Sequence, residues 1–188
     1  MSLLRPHLDI LPELQQRLWP SLAGLAGAGF VLDGGTAIAL RYGHRVLLTS
    51  ADQAQTGVKV SFFGGLTIGR VADPDYTLDR VALLASPHDL LATKLKVLLQ
   101  RAERKDYQDV ATLLASGLAL SDGLAAAQAL YGSGFPVREC LKALVVFADG
   151  DLAALGSGEP RRLEQAVLAV DVIPSLKRIS RELGPSQP

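Results

Sequence analysis

From Ser86 to Ser116 the apolar positions recur at helical spacing. Leu91, Leu95, Leu98 and Ala102 form one stripe, which predicts a helix over 87–102. Ser86 stands at its N-cap position, Pro87 is its first residue and Asp89 sits in its first turn. A second helix is predicted from Asp106 to about Ser116, ended by Gly117, and a third is capped by Ser121 and runs through Leu130. Further helices are expected over 136–148 and 159–170, with a short one near 174–183. At the front, Leu8, Leu11, Leu14, Leu18 and Leu22 give helical spacing over 8–26, with Pro12 in the first turn and Pro20 bending or splitting the segment. Phe30–Leu32 reads as a short buried strand, Gly34-Gly35 as a turn, and Thr36–Tyr42 as a helix closed by Gly43. Val46–Thr49, Val58–Phe63, Leu66–Val71 and Arg80–Ala85 have strand character, and Ala72–Asp75 is a turn sequence. The pattern predicts an α+β protein with a small mixed sheet and flanking helices over 1–86. A helical C-terminal region, 87–188, packs on that core.

Composition narrows the function classes. Hydrophobic residues make up 48% of 188, enough for a sizeable core. Nineteen basic residues balance 19 acidic ones, which argues against a chain that coats nucleic acid, and no DNA partner is predicted. Cys140 is the only cysteine and lies in an apolar run, so it reads as a small core residue in a reducing compartment. The first twenty residues are broken by charges and by Pro6, Pro12 and Pro20, unlike a leader peptide or a membrane span. A soluble, cytoplasmic protein is expected, with no membrane partner and a disordered GPSQP end.

Two stretches carry candidate chemistry. Gly34-Gly35-Thr36, between a strand and a helix, lets the backbone approach a ligand and aims helix N–H groups at an anion, although an ordinary turn looks the same. In LLATKLKVLLQRAERKDYQDVATLL, Lys94, Arg101 and Lys105 are spaced i, i+7, i+11. On a continuous helix they fall on one line beside the apolar stripe, placed to grip phosphate in a cleft shared with the glycine pair. Asp106 and Asp109 follow at i, i+3. The plainer reading makes Asp106 a helix cap, pairs Lys105 with Asp109 and leaves the cations solvated.

FVLDGGTAIALRYGHR, VKVSFFGG and SPHDLLATKLKVLLQRAERKDYQDVATLL, taken in order over residues 28–116, resemble the AbiEii/AbiGii toxin-like nucleotidyltransferase family. The resemblance implies a polymerase-beta-like nucleotidyltransferase fold and transfer of a nucleotide from an NTP to an acceptor, with Mg²⁺. It also implies a place in bacterial toxin–antitoxin or phage-defence systems, with tRNA as one acceptor and an antitoxin protein as one partner. Carried over by position, Gly34, Gly35 and Thr36 would face the triphosphate, joined as phosphate contacts by Arg45, Arg101 and Lys105. Lys94, Asp106 and Asp109 would be the catalytic lysine and acids.

One feature of the family's pattern is missing. Relatives place an Asp-x-Asp pair, which holds the metal, on a strand shortly after the His-Arg. Here only twelve residues, 46–57, separate Arg45 from Val58. The acids between Gly35 and Arg80 are Asp52 in a polar loop, Asp73 and Asp75 around a proline, and Asp79. No residue is therefore assigned to a metal, and Mg²⁺ is expected only if such an acidic segment exists. Two explanations stay open: a degenerate member that keeps the binding cleft and serves as a nucleotide- or partner-binding module, or an internal deletion between about Arg45 and Thr56. His7, His44 and His88 lack metal-ligand spacing. Trp19, Phe30, Phe62 and Phe63 read as core, and Asp149-Gly150-Asp151 as a turn between helices.

Overall fold

The computed structural model describes residues 2–45, 47, 58, 60, 61 and 68–185. The expected strands at 46–49 and 58–63, together with Phe62 and Phe63, lie wholly or partly outside the described residues; of the strand expected at 66–71, the described residues 68–71 form a turn and a single bridge residue, Arg70, and no strand. The chain packs as two compact units, one of residues 1–69, 73–86 and 180–188, the other of 70–72 and 87–179.

The first unit is built on a four-stranded mixed sheet in the order β1-β3-β4-β2. Its strands are β1 (Leu3–Leu4), β2 (Val31–Leu32), β3 (Asp75–Thr77) and β4 (Leu83–Leu84). β1 runs parallel to β3 with Leu3 opposite Tyr76, β2 parallel to β4 with Val31 opposite Leu83, and β3 antiparallel to β4. The 8–26 segment is not one helix. Pro12 is the N-cap of α1 (Glu13–Leu18), Pro20 lies in a 3-10 turn at Trp19–Leu22, and α2 (Ala23–Gly27) follows. Proline's missing N–H explains both breaks. Leu83 and Leu84 are fully buried, as are Ala37, Ile38, Ala39 and Leu40 of α3 (Gly34–Tyr42). Trp19 is buried too, its indole N–H donating to Asp79 at 2.8 Å. Phe30 is exposed instead of core, just ahead of a strand whose residues are only half-buried.

Several local expectations of this unit are corrected. Gly34-Gly35 is not a separate turn: both residues open α3, with Asp33 as N-cap. Gly34 has φ +75, where a side chain is strained. Asp75 belongs to a strand and not to the turn expected there, and β1 was not foreseen. α3 ends as expected, on Gly43 in the left-handed region, with the Gly43 N–H donating to Ala39 O at 2.7 Å.

The second unit is helical: α4 (Pro87–Leu98), α5 (Arg104–Ala115), α6 (Leu120–Tyr131), α7 (Val137–Ala143) and α8 (Gly158–Leu168). Leu90, Leu91 and Leu95 of α4 pack into a core with Val110, Leu113, Leu124, Cys140, Leu144 and Leu163, all fully buried. α4 and α6 approach closely at Gly123, where any side chain would overlap Leu91. α4 stops at Leu98 and not at 102, so the chain reverses through 99–103 before α5. The third helix begins at Leu120 with Ala119 as N-cap, so Ser121 lies inside it. No helix forms over 174–183.

Candidate functional site

The early end of α4 decides the geometry of the candidate cations. Lys94 lies on α4, Arg101 in the connection and Lys105 on α5, so the expected single helical line is replaced by a hairpin. The hairpin folds Lys94 onto the start of α5. Its ammonium donates to Asp106 Oδ1 at 2.7 Å and pairs with Asp109 Oδ2 at 2.6 Å. Both carboxylates are fully buried, and the lysine side chain is 8% exposed. The i, i+3 spacing that puts both acids on one face of α5 is what lets a single ammonium bridge them.

Asp106 Oδ2 accepts from Arg101 Nε at 2.8 Å, and Glu103 pairs with both Arg101 Nη1 at 3.3 Å and Lys105 Nζ at 2.7 Å. Three cations and three carboxylates therefore form one chain of charge, buried at the Lys94 end and exposed at the Lys105 end. The hydrogen bond that Arg101 donates to Asp106 holds its guanidinium above its ordinary pKa against a smaller opposing effect of burial. Two parts of the plainer sequence reading are overturned. Glu103, not Asp106, is the N-cap residue of α5, and Lys105 pairs with Glu103 where Asp109 was expected, because Lys94 reaches Asp109 from the neighbouring helix.

Other acids have structural partners that the sequence did not reveal. In the first unit, Asp75 accepts from Arg41 Nη1 at 2.8 Å and from the Ser2 hydroxyl at 2.5 Å. Arg41 Nη2 also donates to the Ala85 carbonyl at 2.9 Å, tying α3 to β3 and the end of β4. The one visible signal was a lone arginine in the apolar run Ala37–Tyr42, which needs an acid partner once buried. Burial raises the Asp75 carboxyl, but the hydrogen bonds from Ser2 and Arg41 and the Arg41 charge outweigh it, leaving it below its ordinary value. Asp79 is also lowered: burial raises it, and hydrogen bonds from Thr77, Trp19 and the Val81 amide prevail. In the second unit Asp89, in the first turn of α4, accepts the Val71 N–H at 2.7 Å. Cys140 is fully buried, its thiol pushed up to about 12 by burial, consistent with a core residue.

Gly34, Gly35 and Thr36 form the first turn of α3, and Arg45 lies just beyond the helix, half-buried. These residues belong to the first unit, and Lys94, Arg101, Lys105, Asp106 and Asp109 to the second.

The described acids do not fit a divalent ion. Among the described residues no group of three or more His, Cys, Asp or Glu side chains could hold a metal. The closest acidic pair on one helix face, Asp106 and Asp109, already shares an ammonium. Also among the described residues, no single helix is long and apolar enough to cross a membrane.

A small mixed sheet with flanking helices, followed by a hairpin built on the Lys94 and Asp106-x-x-Asp109 motif, fits a nucleotidyltransferase-type protein. The chain belongs to the family described as nucleotidyl transferase AbiEii toxin, type IV TA system, which it matches over residues 46–165. The match runs through α7 into α8, so helices expected to be only a generic tail are part of the family's pattern. It starts after Gly34-Gly35-Thr36 and Arg45, whose roles rest on the resemblance alone. No curated protein and no solved structure matches the chain.

Proposed function

We propose that this AbiEii-family chain binds a nucleoside triphosphate at the start of α3 and, with the acids it carries, holds the nucleotide without transferring it. The family's chemistry, nucleotidyl transfer from an NTP to an acceptor such as tRNA, is the frame for this reading. The family match supports the nucleotide as ligand. In the first turn of α3, Gly34, Gly35 and Thr36 would meet the phosphates with backbone N–H groups, and Arg45 would add charge. An antitoxin protein is the partner that the family description suggests.

The observation that carries the non-transferring part is the commitment of four acids to partners within the chain. Asp75 and Asp79 serve Arg41, Ser2 and Trp19, and Asp106 and Asp109 serve Lys94. Transfer needs charge stabilisation where the phosphoryl group moves, and losing a metal clamp costs several factors of ten, each about 1.36 kcal/mol of barrier. The test pairs calorimetry of NTP binding, with and without Mg²⁺, with incubation of the 188-residue chain with labelled NTPs, Mg²⁺ and total tRNA. Weak binding, abolished by Thr36→Glu, and no label transfer are expected. Robust transfer would instead establish an active nucleotidyltransferase.

A further inference from the structure

We infer that Lys94 is the resident cation of the Asp106–Asp109 pair, so that these acids are charge partners of an internal ammonium and not ligands of a metal ion. The geometry is that of charge-assisted hydrogen bonds. The ammonium sits 2.7 Å from one carboxylate and 2.6 Å from the other. A magnesium ion would bring oxygens to about 2.0–2.1 Å in a near-octahedral shell that usually keeps several waters. These carboxylates are fully buried, and the position between them is already filled by a positive group. A divalent ion there would meet the lysine as a like charge.

Charge balance points the same way. The two carboxylates face Lys94 and, through Asp106 Oδ2, Arg101. With Glu103 and Lys105, the cluster sets three carboxylates against three cations, so its acids are matched by cations of the chain itself. The cluster also has a mechanical consequence. Lys94 comes from α4 and the acids from α5, so the ammonium staples the two helices together, while Asp106 also holds the Arg101 side chain of the connection between them. Lys94, Asp106 and Asp109 are therefore positioning residues in this chain.

The inference stands apart from the proposed function and can fail separately, because its test reads metal binding and not transfer. Mn²⁺ titration by calorimetry of the parent, Asp106→Asn and Asp109→Asn is expected to give the same affinity within twofold, including no binding in all three. A tenfold or greater loss in either variant would overturn the inference. A second measurement covers variants that fold poorly. Lys94→Ala removes the resident cation and leaves two facing carboxylates, so its thermal midpoint is expected to rise with millimolar Mn²⁺ while the parent's does not. A Lys94→Ala midpoint indifferent to Mn²⁺, or a parent midpoint raised as much as the variant's, would show that the ammonium does not hold a cation position.

Discussion

The Asp151 carboxylate accepts the backbone N–H of Arg104 at 2.6 Å, across 47 residues of sequence. Arg104 is the first residue of α5, so a distant turn satisfies one of the helix's otherwise orphan donors. The Glu103 side chain, at the N-cap, makes no capping hydrogen bond, being engaged with Arg101 and Lys105. Asp151→Ala is expected to lower stability by about 1 kcal/mol, the usual worth of a capping side chain, and Asp151→Ser to recover most of it. Urea midpoints of the three proteins decide this; coincident midpoints for parent and Asp151→Ala would remove the capping role.

Gly150 holds that turn against the chain. Its φ is +60, and a Cβ there would overlap the Ala102 carbonyl oxygen, which is rigid backbone. Left-handed backbone costs a non-glycine residue about 1–2 kcal/mol, and steric overpacking adds about 1–3 kcal/mol. Gly150→Ala is therefore expected to destabilise by about 3 kcal/mol, clearly more than Asp151→Ala next to it. The reverse order in a chemical denaturation series would contradict the close approach.

Gly123 and Gly24 should respond to alanine with opposite signs. Both are helical and neither has positive φ. Alanine lowers the entropy of the unfolded chain and favours helix by about 0.5–1 kcal/mol. At Gly24 no described atom lies within 4 Å of the added methyl, so Gly24→Ala should stabilise or be neutral. At Gly123 the methyl meets the branched end of Leu91 in the α4–α6 contact, and the overpacking cost of about 1–3 kcal/mol should win. Thermal midpoints that rise for both variants would show that Leu91 repacks freely.

The helical second unit was the more legible half of the sequence. α4, α5, α6 and α8 come from amphipathic spacing, with Pro87 marking the start of α4 and Gly117 the end of α5. The early stop of α4 was hidden because Ala102 continues the apolar period after the helix has ended. A three-residue rule cannot see that the next helix folds back. That one boundary moved Arg101 and Lys105 off the lysine's line and turned an apparent phosphate grip into an ion cluster. Spacing paired Asp106 with Asp109, and only the family resemblance joined Lys94 to them; the ion pairs among the three were not legible, because they cross between helices. In the first unit the strands are two or three residues long, too short for alternation to register. Asp75 was hidden beside Pro74, where turn chemistry outweighed a three-residue strand.

Asp75 should make stability depend on pH only in acid. Its folded-state pKa lies below the ordinary 3.8, because hydrogen bonds from Ser2 and Arg41 and the Arg41 charge outweigh burial. A lowered carboxylate binds fewer protons folded than unfolded, so its contribution is present above 3.8 and is lost as the pH falls through the folded value. Asp75→Asn removes that contribution and leaves the Arg41 guanidinium, 7% exposed, without its charged partner. The variant is expected to be less stable than the parent near pH 7 by about 2–3 kcal/mol, within the range for buried charged hydrogen bonds. The gap should hold down to about pH 4 and narrow below it, as the parent's own Asp75 takes up its proton. Urea denaturation of both proteins at a series of pH values measures the gap. A difference that stays constant from pH 7 to pH 2 would mean that Asp75 stabilises the sheet through packing alone and that its charge on Arg41 contributes nothing.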